Sequence, residues 1–414
     1  MNAPHAIAEP RHVRNRVATP TLSPEAASLL SEEEHEAARR EITSWPGYAP
    51  TPLVALPGLA RAAGVATVHY KDEAHRFDLK SFKALGGAYA VLRLLQDILA
   101  AEGHPGVTAR DLIGGAHRER VARETVCCAT DGNHGRSVAW GARMFGASCR
   151  IYIHENVSAD REAAIAAFGA TMVRLPGDYD ASVRAAAREA GLNGWHLVAD
   201  TDAGGGSDRC PRLVMQGYTL MVDEMVAQLS EAPTHVLIPA GVGGLAAAIA
   251  GRWAKIAGDR RPRMVAVEPL VADCVFRALR DGEPRAVEGD VNSFMACLSA
   301  GEVSPSAWPV LRSVADDALA IPDEAAVDAM RGLAEGRWGD APLVSGESGC
   351  AGVAALLAVA GRPDLREALG LDGGARVVCI GSEGATAPDL WASVTGFRPE
   401  EVGSTTTGGR TPGA

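Results

Sequence analysis

The sequence predicts an α/β protein built from two open parallel-sheet domains, and three observations carry that prediction. Short β-branched runs alternate with long Ala-rich helical patterns between the two polar ends of the chain. The junctions between them are short and rich in glycine, of which the chain has 46. The length of 414 residues exceeds what one ordinary core organises.

Taken in order, "ATVHYKDE" at 66–73 reads as a strand and "SFKALGGAYAVLRLLQDILAAE" as the helix after it. "RETVCCAT" at 123–130 is a strand and "NHGRSVAWGARMFG" a helix. "SCRIYIHE" and "TMVRLPG" are strands around the helix "SADREAAIAAFG". "THVLIPAG" at 234–241 is a strand leading into the helix "GGLAAAIAGRWAKIAG". "RMVAVEP" and "ARVVCIGSEG" are further strands. The run from "RETVCCAT" to about Asp200 has its own compact set of βα units, which points to a smaller domain inserted in a larger one. The division expected is 23–95 with 205–400 for the large domain and 96–204 for the small one. Residues 1–22 and 401–414 are polar or low-complexity and are expected to be disordered tails. No internal repeat is visible.

The net charge of −11 and pI near 5.5 argue against nucleic acid or an anionic membrane surface as partner. No apolar run is expected to reach the roughly 18–20 residues of a membrane span, and "MNAPHAIAEPRHVRNR" lacks the apolar stretch of a signal peptide. The eight cysteines are scattered, mostly in apolar runs, with no CxxC spacing. They read as reduced thiols in a cytoplasmic protein, and no metal site is expected.

Four segments carry chemistry. In "SFKALGGA", Ser81 is placed to cap a helix and Lys83 falls in its first turn, where the helix dipole disfavours an ammonium but accepts a neutral or covalently joined amine. Gly86 and Gly87 clear the same face one turn on, so that a flat ring can approach; the plain alternative is a solvated lysine beside a packing glycine pair. In "ATDGNHGRSVAW", a glycine loop joins a strand to a helix and presents N–H groups to an anion. In "VLIPAGVGGLAAAIAG", Gly241, Gly243 and Gly244 let N–H groups converge on a phosphate at a helix start. A dinucleotide site is the rival there, but G-V-G-G-L-A departs from G-x-G-x-x-G and no acidic residue follows at the expected distance. The fourth segment is "RVVCIGSEGATAP", a strand ending in Ser382-Glu383-Gly384.

These four segments, in this order, resemble those of the fold-type II pyridoxal-phosphate enzymes, the group of the tryptophan synthase β-subunit, threonine dehydratase and cysteine synthase. "RFDLKSFKALGG" resembles, more narrowly, the diaminopropionate ammonia-lyases. The resemblance implies pyridoxal 5′-phosphate in the interdomain cleft, a small amino acid as substrate, and a homodimer. It implies Lys83 as the cofactor's covalent partner and as a catalytic base; Lys80 competes but lacks the aromatic–Lys–x–x–Gly spacing. Phe82 would flank the cofactor, and Asn133 would bond its 3′-oxygen. Gly241, Val242, Gly243, Gly244 and Leu245 would cup its phosphate. Ser382, with Thr386 as competitor, would meet its ring nitrogen, and Glu347 of "SGESGCAG" would lie close by or act as an N-cap. Thr130, Asp131, Gly132 and His134 would hold the substrate carboxylate. Asp131 would serve as a second base for the other enantiomer, unless it only orders the loop. Asp200 would bind the distal amino group. The sequence departs from the ammonia-lyase pattern at Asp78 and Lys80 and in one segment: "DAGGGSDRCP" follows "LVADT" where an aromatic and acidic run resembling "WEGY" is usual. The activity implied is α,β-elimination from 2,3-diaminopropionate, giving pyruvate and two ammonia. The alternatives are a β-hydroxy amino acid dehydratase, a β-replacement synthase, or a non-catalytic ligand-binding protein.

Overall fold

The structure is a computed structural model and describes residues 8–130, 132–202 and 207–403. Its strands are β1 (Arg11–Arg14), β2 (Leu53–Ala55), β3 (Thr67–Asp72), β4 (Thr125–Ala129), β5 (Ser148–His154), β6 (Thr171–Leu175), β7 (His196–Leu197), β8 (His235–Pro239), β9 (Arg263–Pro269), β10 (Asp317–Ile321) and β11 (Arg376–Gly381). They form two sheets. The larger runs β1-β10-β9-β8-β11-β3-β2 and the smaller β6-β5-β4-β7. The chain leaves the large sheet after β3, builds all of the small sheet, and returns at β8.

Inner strands pair in parallel, and their alternating side chains are buried on both sides because helices cover both faces. In β8, Val236 and Ile238 enter a core shared with the small sheet, while Leu237 enters the core on the opposite face. In β5, Ile151 and Ile153 face the shared core and Tyr152 faces a third cluster.

The structure corrects several expectations. Residues 11–14, placed in a disordered tail by their polarity, pair antiparallel with β10. Arg11 binds Asp273 at 2.7 Å and His12 binds Asp317 at 2.8 Å, so side-chain pairing rather than apolar content docks this edge. The large sheet is not wholly parallel, since β2 also pairs antiparallel, with β3. The helix Ala84–Ala101 is, by length and composition, apolar enough to cross a membrane, contrary to the expectation that no run reaches that length. Its residues 84–92 are buried in the protein core. Residues 404–414 of the expected C-terminal tail lie outside the described residues, as do 1–7 of the N-terminal one.

Gly86 and Gly87 do not make room for a ring. A Cβ on Gly86 would lie 2.5 Å from the Tyr218 ring and 2.7 Å from Val214, and one on Gly87 would lie 2.6 Å from Ser137 Oγ. They let the helix Ala84–Ala101 approach the helices Arg209–Tyr218 and Asn133–Phe145 closely. The helix also starts later than expected. Lys83 is its N-cap residue, and Ser81 Oγ accepts the Lys83 N–H at 3.3 Å.

Candidate active site

Three loops at the C-terminal ends of parallel strands converge on one cavity of about 660 Å³: 130–135 after β4, 240–244 after β8, and 382–386 after β11. Ligands of open parallel sheets bind at such strand ends. Its wall brings together Phe82, Lys83, Thr130, Gly132, Asn133, His134, Asp200, Gly241, Val242, Gly243, Gly244, Leu245, Ser382 and Thr386. Asp131 lies outside the described residues. Glu347 is buried and does not line the cavity.

Lys83 arrives on an unusual segment. Phe77, Asp78 and Lys80 all have positive φ, at 50°, 58° and 57°. Side chains other than glycine's seldom adopt that conformation, and neighbouring structure must over-determine it. Here Arg76 anchors one end of the segment in a buried ion network, and at the other end the Lys80 carbonyl accepts the Gly384 N–H at 3.0 Å. Arg76 bonds Glu73 through Nε (2.9 Å) and Nη2 (2.8 Å), and Glu224 through Nη1 (2.7 Å) and Nη2 (2.8 Å). Lys71 Nζ donates to Glu224 at 2.7 Å, to the Thr51 carbonyl at 2.9 Å and to Gln228 at 3.0 Å. On the far side of Lys83, its carbonyl accepts the Ser137 hydroxyl at 2.7 Å.

The Lys83 amine lies 2.5 Å from Asp200 Oδ2 and 5.4 Å from the centre of the Phe82 ring. Burial by itself lowers the Lys83 amine, but the Asp200 carboxylate outweighs it and holds the amine above its ordinary value. Burial raises Asp200 in turn, but His134 and Lys83 outweigh it and hold the carboxyl below its usual range. Asp200 thus meets the amine itself, a partner that sequence reasoning reserved for substrate. His134 Nε2 lies 2.8 Å from the Val198 carbonyl, so that nitrogen carries its proton; Nδ1 faces Asp200 at 3.8 Å. Burial lowers the His134 pKa. Thr130 Oγ1 accepts the N–H groups of Gly132 and Gly135, each at 3.1 Å, and so folds the loop.

Asn133 Nδ2 donates to Glu383 at 2.5 Å. Glu383 also accepts from Thr386 Oγ1 at 3.2 Å and from the Ser348 N–H at 3.3 Å, with Cys297 Sγ at 3.4 Å. Sequence reasoning missed Glu383, Cys297, Arg161 and Tyr218 as parts of this wall. Glu383 had a signal, its position in the quoted "SEG"; "MACLS" around Cys297 offered none.

Both Glu347 carboxylate oxygens are buried without a hydrogen-bond partner among the described residues, and Arg161 stands 4.0 Å away. Burial, then the charge of Glu383, pushes the Glu347 carboxyl from 4.5 up to about 7. The folded state therefore binds a proton that the unfolded chain releases, and stability falls as pH rises from about 4.5 to about 7. Glu347→Gln should remove this loss. Its advantage in thermal unfolding should grow by about 1–3 kcal/mol between about pH 5 and about pH 8. An advantage equal at both pH values would refute the assignment.

The loop 241–244 suits a phosphate. The helix Gly244–Ala257 opens into the cavity with no side-chain cap on its leading N–H groups. Gly243 has φ +94°, and a Cβ there would lie 2.7 Å from Leu311 Cδ1. An anion cradle and a lysine amine in one cavity are the groups a phosphorylated aldehyde requires, so the residues present fit pyridoxal phosphate.

Comparison with known proteins gives the same class. The pattern of the family described as "Pyridoxal-phosphate dependent enzyme" matches residues 44–383, and this chain belongs to that family. The chain is 37% identical over 370 residues to a diaminopropionate ammonia-lyase of Escherichia coli K12, covering 87% of this chain and 91% of that one. The crystal structure of the holo diaminopropionate ammonia lyase from Escherichia coli superposes with a TM-score of 0.85 at 33% identity, covering 94% of this chain and 98% of that one. The same lyase in complex with D-serine gives a TM-score of 0.84 at 33% identity, covering 94% of this chain and 98% of that one. The chain is a pyridoxal-phosphate-dependent ammonia-lyase of the fold-type II group.

Proposed function

We propose that the protein eliminates ammonia from 2,3-diaminopropionate, with water completing the conversion to pyruvate and two ammonia. The observation that carries this reading is the Lys83–Asp200 pair in the cavity of the three loops. When bound, pyridoxal phosphate supplies an electron-accepting ring in conjugation with the substrate's α-nitrogen.

The chain's own residues do the rest. The 241–244 loop holds the phosphate, and Phe82, Ser382 and Thr386 bound the ring's space. Lys83, neutral once the substrate's own amine has displaced it from the cofactor, would accept the Cα proton of one enantiomer. Asp131 is the base proposed for the other. Asp200, held as a carboxylate beside an amine, provides the negative charge for a second ammonium, the β-amino group of the substrate. Asn133 would bond the cofactor's 3′-oxygen, and Thr130, Gly132 and His134 orient the carboxylate end of the substrate. The β-amino group departs as ammonia. The released aminoacrylate takes up water and gives pyruvate and the second ammonia.

The test is stoichiometry. Purified enzyme given 2,3-diaminopropionate should release two ammonia per pyruvate. A second reading, dehydration of a β-hydroxy amino acid, draws on the D-serine complex of the Escherichia coli lyase and on the departure at 202–211. It would give one ammonia per pyruvate from serine, with no turnover of the diamino substrate. The family resemblance also supports a homodimer, and the free, scattered cysteines support a cytoplasmic location; solution mass and cell fractionation would test these.

A further inference from the structure

The segment that presents Asp200 continues to Asp202, a residue only 7% exposed that does not line the cavity. One short stretch, 304–306, supplies three donors to its carboxylate. Oδ1 accepts from Ser304 Oγ at 2.6 Å and from the Ser306 N–H at 3.1 Å, and Oδ2 accepts from Ser306 Oγ at 2.5 Å. The Ser304 N–H in turn donates to the Val242 carbonyl at 2.9 Å, inside the glycine loop. Among the described residues, no lysine, arginine or histidine is in ion-pair distance of Asp202. A buried carboxylate held only by neutral donors is costly, and burial of apolar surface alone would not select it.

The bonds run from one half of the site to the other. Lys83 touches Asp200; two residues on, Asp202 grips Ser304 and Ser306; Ser304 holds Val242. The small sheet's outgoing strand is thereby tied to the loop proposed to hold the phosphate. We propose that Asp202 is a positioning residue that sets the distance between the Lys83–Asp200 pair and the 241–244 loop, so that a cofactor gripped by its phosphate meets the amine without strain. This inference rests on the reading of the cavity as the cofactor site. Asp202 opens the segment in which the sequence departs from the ammonia-lyase pattern.

The experiment measures the apparent dissociation constant of pyridoxal phosphate with Lys83 in place, read from the absorbance of the covalently joined cofactor, because that constant reports whether a cofactor held at the 241–244 loop also meets the amine. Asp202→Asn should raise that constant about fivefold or more, and Ser304→Ala should raise it as well. The two acting along one chain of bonds, the double variant should be little worse than Asp202→Asn alone. A purely structural Asp202 would lower the melting temperature and leave the constant within about twofold of the parent; that result overturns the proposal. Should Asp202→Asn fail to fold, Ser304→Ala and Ser306→Ala carry the test, and unchanged binding in both overturns it. Parent protein with Lys83 intact that binds no pyridoxal phosphate would instead sink the reading of the cavity, and this inference with it.

Discussion

Lys83→Ala is expected to abolish turnover, by a factor of at least about 10³, because it removes both the covalent anchor and the proton acceptor. The purified wild-type protein should absorb at roughly 410–420 nm with its cofactor covalently held, and the variant should not. Asp200 gives the experiment a second readout. With the amine gone, this buried carboxyl loses a cation at 2.5 Å that contributes to holding its pKa down, so its pKa should rise toward the ordinary range. Wild-type protein that shows no such band, or a variant that keeps both band and activity, would remove the amine from the mechanism.

The second large effect concerns stability. Glu224→Ala should lower the free energy of unfolding by about 3–5 kcal/mol, read from denaturant titration. Glu224 is the shared acceptor of two buried cations, Lys71 and Arg76, and also receives the Tyr48 hydroxyl at 2.9 Å. Lys71, Arg76, Glu73 and Glu224 are each no more than 4% exposed, and their charges sum to zero. Removing one acid leaves a positive charge uncompensated in the interior, a cost far above that of a surface ion pair. Glu224→Gln, which keeps the shape and two polar atoms, should cost less than the alanine. The same change should loosen the left-handed backbone at Phe77, Asp78 and Lys80, so activity should fall further than the unfolded fraction explains. A loss under about 1 kcal/mol would mean that the network is not what holds this segment.

Strands such as β8 and β11 were legible because a buried parallel strand is a short apolar β-branched run beside a glycine loop, and that pattern is local. The lysine, the Asn loop and the phosphate loop were legible because each needs particular residue types at fixed spacing. Edge strands were not. Arg11–Arg14 is polar and four residues long, and it becomes a strand only because Asp273 and Asp317, over two hundred and fifty positions away, receive its side chains. The glycine pair at 86–87 misled for a related reason: the absence of a Cβ shows that something comes close, and only the tertiary structure says whether it is a ring or a neighbouring helix.

The amino-acid sequence alone determined the sheet-forming segments, the order of the loops and the lysine that the chemistry needs, since spacing along one helix or turn is enough for each. It could not determine which acid meets that lysine. Asp200 is 117 positions from Lys83, Glu383 is 250 from Asn133 and Ser304 is 102 from Asp202. Such pairs are decided when the small sheet packs against the large one, because burial makes an unpartnered charge or polar group costly enough to select its partner from the far end of the chain.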